Sequence, residues 1–327
     1  MQKYFRLSLK GSTIFLWWLL YIVGIAITAA LLRNNSVTPE MMLMDGAVGR
    51  MLLMQGLGML IIMLFGLLFT FFLVRATVRS LSLEEEPFTE DYDIGRFLGL
   101  AVKGILLTAI TLGIYFPWFA ASLMRYFAAG TSFRDTPLSF AGKGMTLFGI
   151  LVLVVVLPYG LMILLQLPMM VAAATFEYGT FMLWLAIFLA AAVLIQSAYT
   201  YLLLRWSVDL SWNGRRILFR APAGGGIGFI FGQMLLAVVT LGLYAPAMYI
   251  RIWRYTVSHI VSGERTVESR LGMAPEIWKD YFYILGQFLL TIITAGIYGA
   301  WAVAGVMRRL ASRTYVQESE PLPMPEE

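Results

Sequence analysis

Four long apolar runs and three interrupted ones are separated by short polar stretches along this chain. Residues 13–32, 51–74, 145–170 and 181–204 are almost uniformly apolar. Each reaches the roughly 20 helical residues that a bilayer's hydrocarbon core demands. The pattern predicts four transmembrane helices, since the strands of a membrane barrel would alternate over about 10 residues. Segments 97–128, 228–258 and 281–311 are also apolar. Each breaks after ~13–15 residues, a rise of ~20 Å that falls short of a ~30 Å core.

The breaks share one motif. Thr111-Leu112-Gly113-Ile114-Tyr115-Phe116-Pro117 returns as Thr240-Leu241-Gly242-Leu243-Tyr244-Ala245-Pro246, and more faintly as Thr294-Ala295-Gly296-Ile297-Tyr298-Gly299-Ala300. Gly113, Gly242 and Gly296 permit the left-handed backbone that ends a helix. Pro117 and Pro246 suit the first turn of the next helix, where an N–H has no helical partner anyway. Each segment therefore reads as half-helix, turn, half-helix. That is either a re-entrant hairpin or a kinked span ending in an interfacial helix.

Larger landmarks repeat in the same order. Leu7–Gly11 matches Leu138–Gly142, Leu73–Val78 matches Leu203–Val208, and Thr111–Tyr115 matches Thr240–Tyr244, at offsets of 131, 130 and 129. This is the signature of a tandem duplication. Unit A covers 4–130, unit B 135–260, and 275–313 repeats only the last hairpin.

Charge chooses between the two topologies. If the hairpins do not cross, 21 of the 24 Lys and Arg residues fall on one side and only Arg33 and Arg50 on the other, with Lys103 inside the first hairpin. If they cross, the bias vanishes. The positive-inside rule favours non-crossing hairpins and cytoplasmic termini. Equivalent loops of A and B carry equivalent charge, so the repeats are parallel, about an axis along the membrane normal.

Some polar stretches alternate. Phe5–Lys10 has a strand period, Asn213-Gly214 between apolar runs signals a β-hairpin, and Asp135-Thr136-Pro137 reads as a turn into a strand. The expected fold is an all-α polytopic membrane protein: two parallel units, each of two spans plus a Gly/Pro-broken re-entrant hairpin, a third hairpin, and a small cytoplasmic β-layer. Residues 314–327 read as a disordered acidic tail.

Composition agrees: 60% hydrophobic, 13% charged and a mean hydropathy of +0.78 are not those of a soluble domain. There is no cysteine and one histidine, His259, so no metal site or cofactor is expected. No basic patch interleaved with stacking aromatics points to nucleic acid. Nor does any HExxH, GxSxG, P-loop or dinucleotide fingerprint occur, so no enzyme is expected. The expected partners are the lipid bilayer, anionic lipids included, and a protein partner or second copy.

Polar groups in apolar segments are the candidate functional residues, because burying them costs free energy unless they serve a partner or pathway. Tyr115, Tyr244 and Tyr298 place hydroxyls at the turns, or simply cap them. Thr111, Thr240 and Thr294 line the same turns, or bond their own preceding helical turn. Lys103 lies inside the first hairpin, or snorkels out of it. Gln233 and Gln287 share one place in the second and third hairpins, where interhelical hydrogen bonding is the plainer role. Arg125, Arg254 and Arg308 follow the motifs at a fixed distance and are candidates to face lipid headgroups.

Thr-Leu-Gly-Ile-Tyr-Phe-Pro-Trp followed by Arg125-Tyr126, the repeated Arg254-Tyr255, and Asn213-Gly214-Arg215-Arg216 with Phe219 together resemble the signature of YjgN-like bacterial inner-membrane proteins (domain of unknown function 898). The likeness covers most of 4–313. It departs after Trp118, where Phe119-Ala120-Ala121-Ser122 stands in place of the usual basic residues, and in the third copy, which lacks its Pro. The resemblance implies a bacterial inner membrane and no particular activity. Two readings follow: a transporter- or channel-like protein for a small solute, ion or lipid, or a membrane scaffold holding anionic lipid or a protein partner.

Overall fold

The computed structural model describes residues 2–34, 47–263 and 269–318. Strand Gln2–Leu7 (β1) leads into helices Gly11–Asn34 (α1) and Ala47–Arg79 (α2). Strands Leu81–Leu83 (β2) and Glu86–Glu90 (β3) precede helices Ile94–Ile110 (α3) and Phe116–Ala129 (α4). Strands Thr131–Phe133 (β4), Thr136–Pro137 (β5) and Ser139–Phe140 (β6) precede a long composite helix, then Tyr178–Ser207 (α7). The composite helix is Gly144–Ile150 (α5), a π-helical stretch Leu151–Val156 and Leu157–Ala174 (α6). Pro158 follows the π stretch, where its missing N–H interrupts the hydrogen-bond ladder. Strands Asp209–Trp212 (β7) and Arg215–Phe219 (β8) lead to helices Ala223–Val239 (α8) and Ala245–Ser258 (α9). Strands Ile260–Ser262 (β9) and Ser269–Met273 (β10), helices Ile277–Ile293 (α10) and Gly299–Arg313 (α11), and strand Thr314–Glu318 (β11) complete the chain. Among the described residues, four helices are long and apolar enough to cross a membrane: Gly11–Arg33, Gly49–Arg79, Gly144–Ala174 and Tyr178–Ser207.

The expected small β-layer is wrong in kind. The eleven strands among the described residues form one antiparallel sheet in the order β5-β4-β3-β2-β1-β11-β10-β9-β8-β7-β6. Its two edge strands, β5 and β6, are separated only by Leu138, so the chain itself brings the sheet round into a nearly closed barrel. Leu138 N–H donates to Thr131 O at 2.9 Å, and the Trp212 indole N–H donates to Phe133 O at 3.1 Å across the seam. Closure removes the exposed edges that an open sheet would have to protect. Residues 314–318, which the sequence assigned to the tail, are β11, paired with β1 and β10. The rest of that tail lies outside the described residues. Most strands escaped notice because they are two to five residues long, too short to display a period, and their pairing is decided by neighbours far along the chain.

Every helical hairpin joins two strands that pair with each other: α1–α2 joins β1 to β2, and α10–α11 joins β10 to β11. The same holds for α3–α4, for α5 through α7, and for α8–α9. Because paired strands run antiparallel, each hairpin leaves and returns at one rim of the barrel, while the tight turns occupy the other. The turn residues Asn213 and Gly214 carry φ of 49° and 74°, the left-handed pair that a two-residue hairpin requires.

The tips of the three broken hairpins do not stand free. A Cβ on Gly144, at the foot of α5, would lie 2.9 Å from Trp118 Cα near the tip of α3–α4. The Tyr281 hydroxyl, one turn into α10, donates to Leu243 O at the tip of α8–α9 at 2.9 Å. The Trp18 indole N–H in α1 donates to Gly296 O at the tip of α10–α11 at 2.8 Å. Helix α11 is ~22 Å long, yet its tip meets α1 only ~10 Å above the foot of that helix. The broken hairpins therefore slope round the rim, each tip seated on the next element.

Charged latches hold the rim. Asp280 is fully buried; Arg309 Nε donates to its Oδ1 and the Glu276 N–H donates to its Oδ2 at 2.9 Å. A buried carboxylate persists only when paired and hydrogen-bonded in this way. Glu276 also meets Lys279 and Arg313, each at 2.6 Å, and hydrogen bonds from these two partners hold its carboxyl down at about 2. Burial works against the charge of Glu90, but the Tyr92 N–H and the guanidinia of Arg75 and Arg79 outweigh it, so its carboxyl stays below the usual range.

Candidate functional site: the barrel lumen

Alternation along a strand sends every second side chain inward. Phe5 of β1, Phe88 of β3, Leu210 of β7, Ile217 of β8, Leu271 of β10 and Val316 of β11 all line one cavity of about 480 Å³ inside the barrel. The wall is overwhelmingly apolar, and the volume falls within the range of ligand pockets. Aromatic rings dominate one side. Phe88 stacks on Phe133 with centroids 4.6 Å apart, and Phe133 meets Trp212 at 5.5 Å.

Polar groups gather at the rim of tight turns. Lys3, Glu84, Glu86, Arg134 and Arg215 line the cavity there. Arg134 pairs with Glu86 and lies over the Phe133 ring at 5.3 Å. The hydrogen bond from Arg134 is the main reason that the Glu86 carboxyl sits below its ordinary value. The lumen thus has an apolar body and a charged mouth, a shape suited to an apolar or amphipathic guest. Small closed barrels hold one small ligand in this manner.

None of the sequence-stated candidates lines this cavity. Their positions are local to the turns. Thr111, Thr240 and Thr294 end their helices with identical bonding: each hydroxyl donates to the carbonyl four residues back at 2.7–2.8 Å and accepts from the following Tyr N–H at 3.0 Å. Glycine does not occupy the first left-handed position. Leu112, Leu241 and Ala295 do, with φ of 51°, 50° and 49°, and Gly113, Gly242 and Gly296 follow at 92°, 87° and 89°. Gly113 N–H donates to Thr108 O at 2.7 Å, the six-to-one bond of a Schellman turn. Pro117 and Pro246 lie buried in the first turns of α4 and α9.

The three tyrosines sit at three different junctions. Tyr115 stacks on Trp118 and Tyr298 on Trp301. The Tyr244 hydroxyl instead donates to the Oε1 of buried Gln233 at 2.7 Å. Gln287 faces Gly305, Lys103 is exposed on α3, and Arg125, Arg254 and Arg308 are exposed. Arg125 donates to the Ser122 hydroxyl at 3.2 Å. The lumen was missed although several of its strands were readable: Lys3 and Phe5, or Leu210 and Trp212, show the alternation. The pairing of β1 with β11, which turns these strands into the staves of one chamber, has no local signal.

The architecture defines a class: four membrane-length helices and three shorter broken hairpins mounted on one rim of an antiparallel barrel. The chain belongs to the bacterial proteins of unknown function grouped as DUF898, whose family model matches residues 1–129 and again 93–289. No curated protein and no solved structure matches it.

Proposed function

We propose that this is a bacterial inner-membrane protein that takes a single apolar or amphipathic molecule, a lipid or lipid-like amphiphile, into the barrel lumen at the membrane surface. It is a transport-like role in which binding and transfer, not catalysis, are the work of the protein. The observation that carries this reading is the apolar chamber, ringed by strands, at the foot of the membrane helices. The four apolar helices supply the anchor, and the basic segments coincide with the strands and helix ends at the rim, which supports a cytoplasmic barrel and cytoplasmic termini. The sloping broken hairpins then lie at the bilayer interface as a collar. Their second helices, α4, α9 and α11, suit that place because each has one apolar and one polar face. The recurring order of strand, long hairpin, two strands and broken hairpin supports duplication of units A and B, which superposition about the membrane normal would test.

Detergent-purified protein examined by intact mass spectrometry is expected to carry a fatty acid or lysophospholipid one to one. Ile217→Trp combined with Leu271→Trp fills the lumen without adding charge, and should lower occupancy about tenfold with the thermal transition retained. Equal occupancy in a folded, filled variant rejects the lumen and leaves the membrane scaffold as the better reading. Topology is tested separately, because the chain has no native cysteine. Tyr178→Cys should react with an impermeant maleimide on intact cells, whereas Asn213→Cys should react only after permeabilisation.

A further inference from the structure

The groove between α9 and α10 lies outside the lumen and holds a different chemistry. It encloses about 320 Å³ between the Tyr244 end of α9 and the first turns of α10. Arg251 is exposed within it, its guanidinium carbon 5.7 Å from the centroid of the Tyr244 ring. Among the described residues no carboxylate pairs with Arg251, whereas Arg75, Arg79, Arg134, Arg216, Arg309 and Arg313 each have one. Beside this cation, Trp278 is 73% exposed and Ile277 41%. The Trp278 indole N–H has no partner among the described residues.

We propose that this groove binds the phosphate of an anionic glycerophospholipid, with the acyl chains running along the uncovered face of Trp278 and Ile277. Arginine presents a planar fork that matches two phosphate oxygens at once. An indole and a phenol beside it are the side chains that settle at the headgroup level. A cation in that layer is attracted to anionic lipid. The site is preformed. The Tyr281 hydroxyl ties the hairpin tip to α10 through Leu243 O, and the Tyr244 hydroxyl is fixed by Gln233, so the ring that carries Arg251 cannot swing away. It is also single. The residues at the same distance from the motif threonine in the other hairpins are Ser122 and Gly305, which carry no charge.

The test is the thermal shift of purified protein in neutral detergent on adding phosphatidylglycerol, phosphatidylcholine or inorganic phosphate. Phosphatidylglycerol is expected to raise the wild-type Tm by several degrees and phosphatidylcholine to leave it unchanged. Arg251→Gln should lose most of that shift, and Trp278→Ala about half, while Arg96→Gln, at an exposed arginine of α3, retains it. The lumen-filled variant should keep the full shift, which separates this site from the lumen. An equal shift in Arg251→Gln and wild type overturns the proposal. So does an equal loss in Arg96→Gln, which would mark a general charge effect, or a shift from inorganic phosphate as large as that from the lipid, which would assign the site to free phosphate.

Discussion

Hairpins α3–α4 and α8–α9 have the same turn and different interiors. In both, a threonine hydroxyl bridges the carbonyl behind it to the tyrosine N–H ahead, and a left-handed leucine precedes a left-handed glycine. Between the helices they part. In α3–α4 the Phe119 ring lies against Gly104, and a Cβ there would come within 2.1 Å of it. In α8–α9 the place of Gly104 is taken by buried Gln233, which holds the Tyr244 hydroxyl, and the outer face carries Arg251 in place of Ser122. The turn is thus a fixed mechanical part, while the space it encloses was free to become dry or polar.

The largest way to break this comparison is at the glycines. Gly104→Ala must displace a buried ring and is expected to destabilise by about 1–3 kcal/mol. Gly232→Ala in α8 meets nothing within 4 Å and should instead gain up to ~1 kcal/mol of helix propensity. Thermal or denaturant unfolding of the two purified variants reads the opposite signs. Two losses of equal size would mean that the interiors do not differ as described.

The shared turn predicts a smaller, equal effect. Thr111→Val and Thr240→Val each remove a bridging hydroxyl and leave a tyrosine N–H without its acceptor, at a cost of about 1–2 kcal/mol in either hairpin. The same unfolding assay applies, and a difference of more than ~1 kcal/mol between them would show that the surroundings, not the turn, set the energetics.

The smallest effect separates the interiors again. Tyr244→Phe gives up the bond to Gln233 and should cost about 1 kcal/mol, the net worth of one hydrogen bond. Tyr115→Phe should be silent within ~0.5 kcal/mol, because its hydroxyl has no partner among the described residues. Equal losses would point to an unseen partner at Tyr115.

Much of the helical layer was legible in the chain. Runs of 20 or more apolar residues, the Thr-x-Gly-x-Tyr break and the charge bias are local signals, set by the 30 Å slab that a helix must cross and by backbone sterics at the turn. Even there the reading stopped short. The motif glycines are left-handed as read, but Leu112 and Leu241 just before them are left-handed as well, because the hydrogen bonds of the Schellman turn and the Thr bridge over-determine the turn. The buried latch of Asp280 with Arg309 was also invisible, since nothing in the sequence marks Asp280 as the acidic residue that ends inside.

The barrel is the opposite case. Sequence alone fixed which short stretches could be strands at β1, β7 and β8, and which of their side chains share a face. Only the tertiary structure decided that β1 meets β11, that β5 and β6 close on each other through Leu138, and that the inward faces enclose one chamber. The physical reason is range: a helix makes its hydrogen bonds within four residues, whereas a strand of three residues acquires a partner, an inside and an outside only from chain that lies up to hundreds of residues away.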